Sequence, residues 1–147
     1  MNYEQETKNY LDSLIKNQEE INRIMTDRPT KDKTDTGKGY LSILEGAITS
    51  ISTFLSDDNL RKDYPDTLRE MRNMYHQMYL RLKKPQKDDY FIFGQYQAAR
   101  HLEKGLNNII QSIAKFELEK MQEKQPTLHF TDDDKCLLLK IMKLSQA

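Results

Sequence analysis

Residues 40–55 read YLSILEGAITSISTFL. Tyr40, Leu41, Leu44, Ala47, Ile48, Ile51, Phe54 and Leu55 all fall on one face of an α-helix. The polar side is mostly small: Ser42, Gly46, Thr49, Ser50 and Ser52. Such a face either lets another helix approach closely or belongs to a central helix wrapped on nearly all sides. This stretch sets the expectation for the whole chain. It is all-α, an antiparallel bundle of four main helices plus a short C-terminal helix, in a single domain over 1–147.

The same period continues in both directions. Upstream, Tyr3, Tyr10, Leu11, Leu14, Ile15, Ile21, Ile24 and Met25 share one stripe over residues 3–25. That helix is roughly 34 Å long at about 1.5 Å per residue. Between the two lies TDRPTKDKTDTGKG, residues 26–39, which has no large apolar residue and carries Pro29, Gly37 and Gly39. It is expected to be a flexible loop.

Downstream, Ser56 or Asp57 is placed to cap a short turn. Tyr64 and Pro65 open a helix running to about Lys83, with Asp66 beside its positive end. KKPQKDD at 83–89 closes it. YFIF at 90–93 is a continuous apolar run compatible with a short extended piece. A helix from about 95 to 123 follows, with Tyr96, Ala99, Leu102, Leu106, Ile109, Ile110, Ile113 and Phe116 in register. Gly105 inside it marks a bend or a tight helix crossing. Pro126 ends it. Thr131 and Asp134 have the spacing of a capping box. They open a last helix at about 132–145, expected to bury Cys136, Leu137, Leu139, Ile141, Met142 and Leu144 in some combination.

The totals narrow the function classes. With 37% hydrophobic residues and clear periodicity, the chain is not wholly disordered. Its 23 basic and 23 acidic side chains cancel, so no chain-wide attraction to nucleic acid or acidic lipid is indicated. Cys136 is the single cysteine, which forbids an internal disulfide. Beside Leu137, Leu138 and Leu139 it reads as a small buried hydrophobe. The start, MNYEQETKNY, has neither a basic nor an apolar signal region, and no apolar run approaches the ~20 residues that span a bilayer. A soluble cytoplasmic protein with no membrane association is expected.

Motifs for chemistry are missing or malformed. KTDTGKGY lacks the first glycine, the terminal hydroxyl residue and the preceding strand of a phosphate loop. His76, His101 and His129 fit no Glu-x-x-His metal pattern, and one cysteine cannot build a zinc site. A meeting of His76 and His101 across helices is conceivable. Asp132–Asp134 lack the spacing of a calcium loop and read as a solvated helix start. No nucleophile motif is present. No cofactor, no metal and no enzymatic activity are expected.

Two surfaces remain. EMRNMYHQMYLRL, residues 70–82, holds three of the seven methionines and two of the eight tyrosines. Leu68, Met71, Tyr75, Met78 and Leu82 follow steps of three and four and form a core stripe. Met74 and Tyr79 flank it. Methionine and tyrosine suit adaptable, partly wet contacts, so Met74, Tyr75, Met78 and Tyr79 are the candidate protein-contact surface. Arg81, Lys83, Lys84 and Lys87 form a basic cluster ahead of Tyr90, Phe91 and Phe93, and are the candidate nucleic-acid contact. The leading expectation is a non-catalytic protein-interaction module: an adaptor, an inhibitor or a subunit of a larger assembly. Its partner is another protein or further copies of itself, with the two longest helices able to zip as a coiled coil. Nucleic-acid association is the alternative. A small-ligand-binding or enzymatic bundle comes after it.

Overall fold

The computed structural model describes residues 3–82, 89–124 and 131–144. The helices are α1 (Tyr3–Thr26), α2 (Lys31–Ser56), α3 (Asp58–Lys62), α4 (Tyr64–Leu82), α5 (Tyr90–Lys124) and α6 (Asp132–Leu144). No strand occurs among the described residues. The fold is an all-α bundle of four main helices, with the single turn α3 between α2 and α4.

Ring and side-chain contacts fix the helix directions. Tyr3 at the start of α1 meets Phe54 near the end of α2, with centroids 6.4 Å apart. The other end of α1 places Met25 over Gly37, so α1 and α2 are antiparallel. Tyr3 also stacks on Tyr64 at 3.8 Å, which starts α4 beside the start of α1. Along α4 and α5, Tyr64 faces Glu117, His76 faces Glu103 and Tyr79 faces Tyr96. That pair is antiparallel too. Consecutive long helices therefore alternate, and α2 runs the same way as α5.

The core lies where α2 and α5 pack. Leu44, Ala47, Ile51 and Phe54 of α2 are at most 1% exposed, as are Leu102 and Leu106 of α5. Leu14 of α1 and Leu68 and Tyr75 of α4 close the cluster from either flank. Glycines allow this closeness. A Cβ on Gly39 would lie inside the contact shell of the Phe91 carbonyl, and one on Gly94 would strike the Thr36 carbonyl. Between these residues the two backbones touch.

Three expectations need correction. Residues 31–39 are the first turns of α2, not part of a flexible loop; the reversal takes only residues 27–30. Arg28 makes it at φ 50°, a left-handed conformation that costs a non-glycine residue about 1 kcal/mol. Thr30 then caps α2, its side chain accepting from the Lys33 amide at 3.3 Å. Pro29 precedes the cap and breaks nothing. Gly37 and Gly39 are contact points for Met25 and Phe91 rather than helix breakers.

Residues 90–93 are likewise helical rather than extended. The Asp89 carboxylate accepts from the Ile92 amide at 3.2 Å and starts α5 there. The third correction concerns α6. The capping box forms as expected, with reciprocal Thr131–Asp134 bonds of 3.1 Å. Yet Cys136 is exposed, Leu137 and Ile141 are 58% and 52% exposed, and Leu139 is half-buried; the side chains of Met142 and Leu144 lie outside those described. Among the described residues α6 packs on α5 and on no other helix. A helix with one neighbour can bury only one side.

Gly105 marks a tight crossing: Tyr10 of α1 lies over it. Asp57 caps α3 by accepting from the amides of Asn59 and Leu60. No helix among the described residues is long and apolar enough to cross a membrane.

Candidate functional site

The Met/Tyr stretch of α4 divides between inside and outside. Tyr75 is 2% exposed; burial pushes its hydroxyl up to about 12. It is a core residue, which removes it from the expected contact surface. Met78 is partly buried against the core. Met74, 40% exposed, faces solvent. Tyr79 turns toward α5, where its hydroxyl accepts from Tyr96 at 3.1 Å with ring centroids 4.8 Å apart. That bond holds the Tyr79 pKa above its usual value.

A polar seam between α4 and α5 explains this division. Arg72, 8% exposed, donates to Asn107 Oδ1 at 3.3 Å and to Asn73 Oδ1 at 2.6 Å. One turn on, His76 Nδ1 lies 2.7 Å from Glu103 Oε1. Then come Tyr79 and Tyr96. Arg72, His76 and Tyr79 share one flank of α4 by their spacing of four and three. A buried guanidinium must be hydrogen-bonded, so the seam fixes the register of α4 against α5. Sequence reading missed it because a polar flank beside an apolar stripe looks like a solvated face.

His76 and His101 do not meet. His101 lies against α2, its Nδ1 2.9 Å from the Tyr40 hydroxyl. Among the described residues no cluster of three or more His, Cys, Asp or Glu side chains could hold a metal ion. Of the basic cluster, Arg81 is exposed and its Nε donates to the Gln77 carbonyl at 3.4 Å. Lys83, Lys84 and Lys87 lie outside the described residues.

A groove of about 550 Å³ opens between the end of α1 and the starts of α2 and α5. Its walls are Ile21, Ile24 and Met25 on one side and Tyr90 and Phe93 on the other, with Gly37 in the floor. Ile24 and Phe93 are 41% and 38% exposed. A short polar chain runs along it. Asn17 Nδ2 donates to the Tyr40 hydroxyl at 3.1 Å, and that hydroxyl meets His101 Nδ1. The Tyr40 hydroxyl accepts from Asn17 and has a second lone pair and a proton left for Nδ1, so the contact holds with either ring tautomer. Desolvation, with Lys104 and Arg100 nearby, pulls the His101 pKa below its ordinary 6.5 and favours the neutral ring. The expected flexible loop gave no hint of this groove, because its floor is the helical part of 31–39.

No protein family, curated protein or solved structure matches this chain.

Proposed function

We propose that this chain is a non-catalytic helical interaction module that pairs with a second copy of itself through α6. The observation that carries the reading is the outer face of α6. Leu137 and Ile141 stand more than half exposed there, on a capped helix that packs, among the described residues, on α5 alone.

The charges on that face suit a second copy. Helical spacing puts Asp133, Leu137, Lys140 and Ile141 on one side, with Asp134 at its edge, and all five are exposed. Two such helices laid antiparallel about Leu137 bring Asp133 and Asp134 of one copy to Lys140 and Ile141 of the other. Leu137 meets Leu137 at the axis. A two-fold contact needs this kind of self-complementarity. The apolar stripes of α2 and α5, by contrast, pack on each other within the chain.

Sedimentation velocity across a concentration series tests the reading. The wild-type chain should sediment as a dimer and Leu137→Glu as a folded monomer with unchanged helical circular dichroism. Lys140→Asp should weaken the dimer, and Asp133→Lys in the same chain should restore it. A wild-type chain that stays monomeric throughout rejects the proposal.

A further inference from the structure

We infer that the groove between α1, α2 and α5 binds a small amphipathic anion, its apolar body between Ile24 and Phe93 and its acidic head at His101. The site is independent of α6 and of self-pairing.

Three observations support the class of ligand. The volume, about 550 Å³, falls within the range of small-molecule sites, and mostly apolar walls with a few placed polar groups are usual for them. The walls are large and partly exposed, so an apolar body gains contact on two sides at once. The Asn17–Tyr40–His101 chain occupies Nδ1 and leaves Nε2 as the ring nitrogen that a ligand's polar head can meet.

The sign of the head follows from the surrounding charges. Arg100 and Lys104 flank His101 on α5, and both act on the ring as positive charges. Lys33 adds a third cation at the rim, where its ammonium also holds the Asp27 carbonyl; Asp32 is the one acid among the described lining residues. With Arg100 and Lys104 beside His101, a carboxylate or sulfonate head is favoured there over an ammonium. A charge-assisted hydrogen bond to the head is stronger than a neutral one.

The test uses the full chain and the fluorescent anion 1-anilinonaphthalene-8-sulfonate. Saturable enhancement at one site per chain is expected, with displacement by laurate at concentrations below micelle formation. Dodecanol and dodecylamine, matched in chain length, should displace it about tenfold less well, the value of one hydrogen bond to a charged group. Ile24→Glu puts a like charge on an already exposed wall position and should abolish binding. His101→Phe should keep dodecanol binding and erase the preference for laurate. Leu137→Glu should change nothing. The inference fails if no saturable binding occurs, if dodecanol or dodecylamine competes as well as laurate, or if Leu137→Glu removes the signal while Ile24→Glu keeps it. In the last case the probe sits on α6.

Discussion

Along α5 two apolar helices meet it and fare differently. Near its start, α2 comes so close that Gly39 and Gly94 leave room only for backbone. Near its end, α6 rests on it with Leu137 and Ile141 mostly in water, and α5 itself shows Met121 at 52% exposure. Both partners are rich in leucine and isoleucine, so hydrophobicity does not separate them. Neighbours do. Helix α1 closes over the other side of α2, and no described helix closes over α6. Burial needs a third element, and that is a property of the assembly rather than of the helix.

The comparison breaks if truncation costs the same at both ends. Leu102→Ala, at a site 1% exposed, should lower unfolding free energy by about 3 kcal/mol in urea titration. Leu137→Ala, titrated at a concentration where the chain is monomeric, should shift it by less than about 0.5 kcal/mol.

Next in size is the backbone contact. Gly94→Ala drives a methyl into the Thr36 carbonyl and should cost about 2 kcal/mol, read from the denaturant midpoint. Gly105→Ala meets the Tyr10 ring, which packs against the core, so it too should destabilise, by less than Gly94→Ala because a side chain gives way more readily than backbone. Gly46 has nothing near its missing Cβ. Alanine there should stabilise by about 1 kcal/mol through helix propensity alone. If Gly46→Ala were destabilising, the outer face of α2 would be covered after all.

The smallest effect sharpens the picture at the groove. His101 has its folded pKa below 6.5, so the unfolded chain takes up that proton first as pH falls. Below about 6.5 the unfolded state binds more protons, and stability declines with falling pH. Above it this group adds no slope. Thermal melts of wild type and His101→Gln from pH 7.5 downward should diverge in slope just below 6.5, the variant being flatter.

Much of the architecture was legible because helical period is local. The stripe from Tyr40 to Leu55, the Thr131–Asp134 cap, the Asp57 cap and the helix opening at Tyr64 follow from residues within a few positions of one another. The glycines were misread for the opposite reason. Gly37 and Gly39 look like breakers beside their sequence neighbours, and only Met25 and Phe91 show what they are for. The groove was invisible in the same way: Asn17, Tyr40 and His101 come from three helices, and no spacing connects them. Tyr75 and Met74 are adjacent in sequence and opposite in exposure, a division set by which flank of α4 the Arg72–Asn107 seam turns toward α5.

The sequence by itself determined that this chain is helical, and roughly where four long helices and a short last one run. Hydrogen bonds four residues apart and an apolar stripe need nothing distant to declare them. Only the tertiary structure decided which apolar faces are covered. Coverage depends on helices remote in sequence arriving at one place: α5 on the glycines of α2 and, among the described helices, none beyond α5 on α6.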